Sequence, residues 1–166
     1  MKVLDAACGT GYGSFVLSEK AKSVLGVDLS KQAIIFAKYH HKRKNLKFLN
    51  SNILHINNKT TFDMIVSVET IEHLNKLDSK NWLIKCSKLL KKNGIFVCSC
   101  PMLRIRKNRP FITNPHHLHE MKKSVFFRNI KKLFKPKVIN PYILNNESLI
   151  PLTKQKEGHC IVALKK

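Results

Sequence analysis

The stretch LDAACGTGYGS, residues 4–14, holds three of the 6 glycines in this chain of 166 residues. The apolar run KVLDAA at 2–7 leads into it and predicts a short buried strand, and a helix is expected after the glycines at 13–22. A strand, a glycine-rich turn and a helix form a site where a ligand can lie against bare backbone. The alternative is an ordinary strand-to-helix turn that uses glycine only for its conformational freedom.

Strands and helices alternate along the rest of the chain. Further strands are predicted at 23–28, 46–50, 62–68 and 94–100, with final candidates at 137–144 and 159–164. Helices are predicted at 31–42, 80–91 and 121–134; Ser30 is expected to cap the first of these, and Asp78 or Ser79 the second, which Asn93-Gly94 ends. The basic segment after Pro101 is interpreted as a loop. This order predicts a single α/β domain over 1–166: a Rossmann-like, doubly wound, mostly parallel sheet of about seven strands with helices on both faces.

Composition limits the class of protein. Hydrophobic residues make up 43% of the chain, which excludes a disordered chain, and no apolar run approaches the length of a membrane span. Residues 1–9 are not expected to act as a signal peptide. The 5 cysteines form no CxxC pair. They are interpreted as buried free thiols of a cytoplasmic protein, with metal or redox roles as the alternative.

The formal net charge of +21 predicts attraction to polyanions. Nucleic acid is therefore one candidate partner. The competing interpretation is the lysine-rich composition of an AT-biased genome, which would give the same charge with no partner. The basic stretch LRIRKNR at 103–109 is expected to border an acceptor pocket, either contacting phosphate or lying in solvent.

The glycine pattern separates two classes of cofactor. Dinucleotide sites favour GxGxxG, whereas here the third glycine comes one place early and position 14 is serine. Asp5 would repel a pyrophosphate and favour a cationic group. The segment DAACGTGYG resembles the first motif of class I S-adenosylmethionine-dependent methyltransferases. The resemblance extends along nearly the whole chain and implies S-adenosyl-L-methionine as cofactor. The residues that it implies for cofactor binding are Asp5, Ala7, Gly9, Thr10, Gly11, Asp28, Leu29, Asn52 and Ile53.

Individual roles follow from that family. Asp28, at the end of the second strand, matches the acid that bonds both ribose hydroxyls, and a carboxylate offers two acceptors to a vicinal diol. Asn52 stands where the family often has an acid near the adenine amino group; its carbonyl can accept the same bond. Ile53 is expected to pack on the adenine face.

Two stretches could serve the methyl acceptor: VETIEHL at 68–74 and NPHHLHEM at 114–121. Both follow strands whose carboxyl ends are expected to be adjacent, where open α/β sheets bind ligands. Glu69, Glu72, His73 and His117 are the candidate catalytic residues. The Glu-x-x-Glu-His pattern resembles ubiquinone-biosynthesis O-methyltransferases and small-RNA 2′-O-methyltransferases, and NPHHLHEM resembles the NPxHxxEF segment of bacterial glycan-associated methyltransferases.

The RNA enzymes bind a divalent metal through two Glu and two His, which implies Glu69, Glu72, His73 and His117 as metal ligands here. The alternative is that the two acids bond backbone or cofactor, while His73 caps a helix and His117 orients substrate. His40, His41, His55 and His159 are interpreted as surface or packing residues.

The sequence thus predicts an O-methyltransferase that acts on a hydroxyl of a sugar, glycan or small metabolite. An RNA 2′-O-methyltransferase is the second hypothesis. The third is a shortened, non-catalytic domain, because the family usually carries an N-terminal helical segment and here the glycine turn begins at residue 9.

Overall fold

The computed structural model describes residues 1–57, 59–106, 109–112, 114–145, 148–151 and 159–166. Its strands are β1 (Lys2–Ala6), β2 (Ser23–Asp28), β3 (Leu46–Asn50), β4 (Phe62–Ser67), β5 (Leu90–Pro101), β6 (Arg104–Arg106), β7 (Arg109–Phe111), β8 (Val138–Asn145), β9 (Ser148–Pro151) and β10 (His159–Lys165). The helices are α1 (Tyr12–Leu17), α2 (Lys31–His40), α3 (Lys76–Leu89) and α4 (Lys123–Phe134), with two single 3₁₀ turns at Ile53–His55 and Ile71–His73.

The described residues form an eight-stranded sheet in the order β3-β2-β1-β4-β5-β10-β8-β9. The pairs from β3 to β5 are parallel, and β10, β8 and β9 are antiparallel to their neighbours. The strand order reverses beside β1, so β1 and β4 diverge into connections on opposite faces. That point, at the carboxyl ends of the strands, is where open sheets of this type bind ligands.

Each face of the sheet carries its own apolar core. Ile34 and Ala37 of α2 pack with Val24 and Phe48 on one face. On the other face, α3 and α4 bury Trp82, Leu83, Cys86, Phe126, Ile130 and Phe134 against β4, β5 and β10. The Rossmann-like, doubly wound, mostly parallel fold is therefore confirmed. None of the helices in the described part of the chain combines the length and apolar character needed to cross a bilayer.

Several element boundaries differ from the sequence prediction. Helix α1 ends at Leu17 rather than near 22, where the Ser18 hydroxyl bonds the Phe15 carbonyl at 2.6 Å. Helix α3 begins at Lys76, because the side chain of Asn75 accepts from the amide of Asp78 at 2.9 Å. The predicted caps Asp78 and Ser79 are thus wrong.

The strand predicted at 94–100 also begins earlier. Helix α3 ends at Leu89 and β5 follows it directly, so Asn93 and Gly94 lie within the strand and not at the helix end. The basic segment predicted as a loop contains the β6–β7 hairpin, and β9 was not predicted. Residues 107 and 108 of that segment lie outside the described residues, so its expected contact with an acceptor stays a prediction.

Candidate active site

Gly9 and Gly11 of the glycine turn have different surroundings. Gly9 and Gly11 have φ of 53° and 85°. A Cβ at Gly11 would lie 2.7 Å from the Ala37 Cβ and from the Phe48 ring, whereas a Cβ at Gly9 would meet no atom within 4 Å. Gly11 is therefore required by the packing of the turn against α2 and β3. At this residue the alternative of an ordinary strand-to-helix turn is sufficient. Gly9 leaves open space beside its backbone, as a ligand site requires.

Asp28 connects the turn to the end of β2. One carboxylate oxygen accepts the Gly9 amide at 2.8 Å, and the other accepts the Ser30 amide at 2.8 Å. The two bonds fix the plane of the carboxylate while leaving it partly exposed. Each oxygen keeps a further lone pair for a ligand.

A cleft of about 400 Å³ opens above the carboxyl ends of β1, β2 and β4. Its lining brings most of the predicted cofactor residues together with two of the predicted catalytic residues. The lining residues are Ala7, Asp28, Leu29, Asn52, Ile53, Glu69, Thr70, His73 and Leu74. Gly9, Thr10 and Gly11 are not among them, and Asp5 lies in an adjoining apolar cleft that also contains Ala7, Tyr12 and Val66.

Asn52 uses its side-chain oxygen within the fold. That oxygen accepts the Leu54 amide at 2.9 Å and so begins the first 3₁₀ turn. The predicted bond to an adenine amino group would use the second lone pair of the same oxygen. Ile53, next in the turn, is buried against the core and forms an apolar wall of the cleft.

Asp5 is the most deeply buried acid near the turn. Burial raises its pKa from 3.8 to about 6, partly offset by a 2.6 Å hydrogen bond from the Ser14 hydroxyl, and Asp28 adds repulsion. A carboxylate under these conditions favours a nearby cation, which would restore its charged form.

Two non-glycine residues in the cleft lining have left-handed backbone, Ala7 with φ of 59° and Glu69 with φ of 46°. Backbone in this region is strained, and such strain concentrates at functional sites. Ser99 of β5 holds Glu69 in place: its hydroxyl donates to the Glu69 carboxylate at 2.6 Å and accepts the Glu69 amide at 3.0 Å.

Glu72 is a buried acid; its two carboxylate oxygens form no hydrogen bond of standard geometry with the described residues, but the Glu69 carboxyl is close enough to interact with them. Burial, together with repulsion from Glu69 and Glu120, raises its pKa to about 8. Its backbone carbonyl accepts the amides of Leu118 and His119 at 2.8 and 3.1 Å. These two bonds fasten the 114–121 segment over the second 3₁₀ turn.

That attachment places His117 against His73, with ring centroids 5.2 Å apart in an edge-to-face arrangement. Nδ1 of His73 lies 3.1 Å from the His116 carbonyl, which can only accept, so Nδ1 carries the hydrogen. In the neutral ring the lone pair then lies on Nε2.

The tautomer of His117 follows from Asn114. The Asn114 side-chain oxygen accepts the His116 amide at 2.9 Å, so its NH₂ group faces Nε2 of His117 at 3.0 Å. Nε2 must then accept, and Nδ1 must donate to Glu120, 2.8 Å away. The neutral tautomers of both imidazoles thus carry the lone pair on Nε2, with a backing acceptor at Nδ1.

The structure brings three of the four predicted metal ligands together. Single ligand atoms of Glu72, His73 and His117 all lie within 4.8 Å of one another. Glu69 is not part of this group. Imidazoles that donate Nδ1–H to a carbonyl or carboxylate and present Nε2 are typical of metal-binding histidines, so the donor set fits a divalent ion once Asn114 releases Nε2 of His117.

Sequence reasoning did not identify three residues that shape this site: Ser99, Asn114 and Glu120. Asn114 and Glu120 were inside a noted motif, but which imidazole nitrogen each contacts depends on the fold of the loop. The histidines set aside as surface or packing residues differ in their surroundings: His40 and His55 are exposed, and His41 contacts the Phe15 ring. The side chain of His159 lies outside the described part of the chain.

Comparison with known proteins gives matches along the whole chain. The family model described as "Methyltransferase domain" matches residues 1–159. A ubiquinone biosynthesis O-methyltransferase of Pelagibacter ubique is 39% identical over 97 residues, covering 57% of this chain and 40% of the relative. A probable S-adenosylmethionine-dependent methyltransferase of Mycolicibacterium smegmatis is 28% identical over 120 residues, with coverages of 72% and 46%.

Among solved structures, a SAM-dependent methyltransferase from Archaeoglobus fulgidus superimposes with a TM-score of 0.78 at 15% identity, covering 99% of this chain and 86% of that one. This likeness concerns the fold. The chain spans less than half the length of the two curated relatives named above.

Proposed function

The chain belongs to the family of S-adenosylmethionine-dependent methyltransferases, and on that basis we propose that its 400 Å³ cleft binds S-adenosylmethionine and directs its methyl group to a hydroxyl. The observation that carries this proposal is the composition of the cleft. Asp28 and Asn52 line the same space as Glu69 and His73. Groups suited to a nucleoside and groups suited to an acceptor therefore share one cavity.

The cofactor fits the residues present. Asp28 is fixed by two backbone amides and keeps free lone pairs for ribose hydroxyls. Gly9 leaves open space beside its backbone, where a side chain would intrude. Ile53 and Leu29 supply apolar surface for the adenine ring of the cofactor. When bound, S-adenosylmethionine supplies an electrophilic methyl group on a sulfonium whose leaving group is neutral.

The remaining requirement for a hydroxyl acceptor is removal of its proton. Nε2 of His117 and Nε2 of His73 are both unprotonated acceptors in this arrangement. His117 is backed by the buried Glu120, which stabilises the imidazolium that forms when Nε2 takes a proton. We assign His117 as the base, with Glu69 and His73 orienting the acceptor. Rearrangement of Asn114 would free Nε2 for this role.

We propose that the acceptor is a hydroxyl on a small molecule. The Pelagibacter relative is named as an O-methyltransferase of ubiquinone biosynthesis, which supports a hydroxyl acceptor. Among hydroxyl acceptors we favour a sugar or glycan, because the NPHHLHEM segment resembles one in glycan-associated methyltransferases.

The location of the protein is a separate proposal. Five cysteines, Cys8, Cys86, Cys98, Cys100 and Cys160, are free thiols, which supports a cytoplasmic location.

A second candidate is metal-assisted transfer to the 2′-hydroxyl of RNA, and the convergence of Glu72, His73 and His117 supports it. These residues would hold a divalent cation that polarises the acceptor hydroxyl. The burial of Glu72 beside the Glu69 carboxyl favours such an ion, because a buried carboxylate is otherwise costly.

Calorimetry with S-adenosylhomocysteine tests the cofactor proposal directly. We expect saturable binding that Asp28→Asn weakens and that Asp63→Asn, at a half-buried site at the other end of the sheet, leaves unchanged. Absence of heat for the folded wild-type protein would favour the non-catalytic hypothesis.

Transfer of a labelled methyl group, after dialysis against EDTA and after readdition of Mg²⁺ or Mn²⁺, then separates the two candidates. Activity on small hydroxyl compounds that survives EDTA supports direct base catalysis by His117. Activity on RNA that requires the metal supports the second candidate.

A further inference from the structure

A groove of about 640 Å³ lies far from the cofactor cleft, where α2 passes into β3. We call it the basic groove. Five cations and a phenylalanine define it: Lys38, Lys42, Arg43, Lys44, Lys47 and Phe48. The α2–β3 connection is at the amino end of β3, whereas Asp28 and Asn52 follow the carboxyl ends of β2 and β3. A five-residue strand separates the two ends by about 17 Å.

The basic groove concentrates charge beyond the average of this basic chain. Residues 38–47 contain five Lys or Arg and no acid, against 31 in 166 for the whole protein. Arg43 pairs with Glu19 at 3.1 Å. Among the described residues, Lys42, Lys44 and Lys47 form no salt bridge. Like charges held in a concave surface repel one another and raise the local concentration of anions.

The groove continues into a second cleft of about 290 Å³, which shares Lys44 and Lys47 and adds Lys2 beside the Phe62 ring. The two clefts share two lysines and so form an extended track, whose second part is lined mainly by apolar side chains such as Val3, Val24 and Leu25. An anion with charges repeated along its length would use the whole track, whereas one phosphate would contact only part of it.

An exposed aromatic ring lies next to this track. Tyr39 on α2 is 71% exposed, and the Lys42 ammonium lies 5.4 Å from the centre of its ring, whereas Phe36 on the same helix packs against His40 with ring centroids 4.1 Å apart. Unstacked bases pack on such rings, and cations along the path neutralise the phosphates.

From the extended cationic track and the exposed Tyr39 ring beside it, we propose that the basic groove binds a single-stranded nucleic acid. The inference does not depend on the proposed methyl transfer, because the groove lies at the opposite end of the sheet from the cofactor cleft. A polynucleotide could occupy it while the cleft stays accessible.

Fluorescence anisotropy of a labelled single-stranded RNA oligonucleotide, titrated at several NaCl concentrations, tests this. The variant Lys44→Gln/Lys47→Gln removes two cations shared by both clefts. We expect binding about tenfold weaker and a slope of log affinity against log salt that is smaller by about 1.4, the value for two lost phosphate contacts to a single strand. Lys44→Arg/Lys47→Arg should retain the wild-type affinity.

The matched control is Lys131→Gln/Lys132→Gln, which removes the same charge from exposed positions of α4. If it weakens binding as much as the groove variant, the overall charge and not the groove is responsible, and the proposal fails. Tyr39→Ala should weaken RNA binding about tenfold and leave binding of inorganic polyphosphate unchanged. Binding to phosphatidylglycerol vesicles with none to RNA would also overturn the proposal. Circular dichroism melts confirm that each variant is folded.

Discussion

Nδ1 of His117 lies 2.8 Å from a carboxylate oxygen of Glu120, and both side chains are almost fully buried, at 9% and 4% exposure. The acid holds the ring in one tautomer, so that the lone pair lies on Nε2, which points away from Glu120. Asn114 occupies that lone pair at 3.0 Å. The site therefore contains an oriented imidazole base whose reactive nitrogen has one replaceable neutral partner.

Replacing His117 tests this arrangement. In His117→Ala, the acceptor proton has no base, and we expect kcat to fall about a hundredfold or more. Affinity for S-adenosylhomocysteine should not change, because His117 does not line the cofactor cleft. The control is His55→Ala, an exposed imidazole. Equal losses in both variants would contradict the assignment.

Glu120 acts through His117, so its conservative variant should have a smaller effect. In Glu120→Gln the side-chain oxygen can still accept from Nδ1, but the negative charge that stabilises the imidazolium is lost. We expect kcat to fall about tenfold with little change in KM for the acceptor. A rise in KM with unchanged kcat would instead show that Glu120 only shapes the acceptor pocket.

Asp28→Asn should weaken cofactor binding about a hundredfold, because bonds to a charged acceptor are among the stronger ones. An amide NH₂ would also face one of the two backbone amides, Gly9 or Ser30, that now donate to the carboxylate. Calorimetry with S-adenosylhomocysteine measures the loss, and Asp63→Asn is the matched control. Unchanged affinity in Asp28→Asn would remove Asp28 from the cofactor site.

Alanine substitutions at the two glycines of the turn are expected to have different effects. Gly11→Ala places a Cβ 2.7 Å from Ala37 and Phe48, so we expect a loss of about 3 kcal/mol in the free energy of unfolding. Gly9→Ala meets no atom and should cost about 1 kcal/mol for its positive φ. Cofactor affinity should nevertheless fall in Gly9→Ala. Urea denaturation and calorimetry together check the pair, and equal destabilisation of both variants would contradict it.

The sequence predicted those parts of the molecule that local pattern determines. The glycine turn, the acid ending β2 and the alternation of strands and helices follow from neighbouring residues, and the parallel sheet follows from their order. Asn75 was missed because Asp78 and Ser79 have similar intrinsic capping preference, and only the packing of α3 selects among them. Ser99 and Glu120 were missed for another reason. Ser99 contacts Glu69, a residue of another segment, and Glu120 contacts one particular nitrogen of the His117 ring. The sequence pattern specifies neither contact.

Burial of Asp5 makes the stability of the folded protein depend on pH. Its pKa is raised to about 6 in the folded protein from an ordinary 3.8, mainly by burial. Below pH 3.8 the folded and unfolded states are both protonated and the shift has no effect. Between 3.8 and 6 the unfolded state loses its proton first, so the shift lowers stability as pH rises. Above pH 6 the shift lowers the free energy of unfolding by its full amount, about 3 kcal/mol.

Asp5→Asn removes this titration, while its side-chain oxygen can still accept from the Ser14 hydroxyl. We expect the variant to gain stability relative to wild type as pH rises from 4 to 7, by up to about 3 kcal/mol. Urea denaturation at both pH values measures the difference. Binding of the cationic S-adenosylmethionine should weaken in the same variant, since a nearby carboxylate favours a sulfonium. A stability difference that does not change with pH would show that Asp5 is already ionised without cost, and its proposed link to a cation would then lose its physical basis.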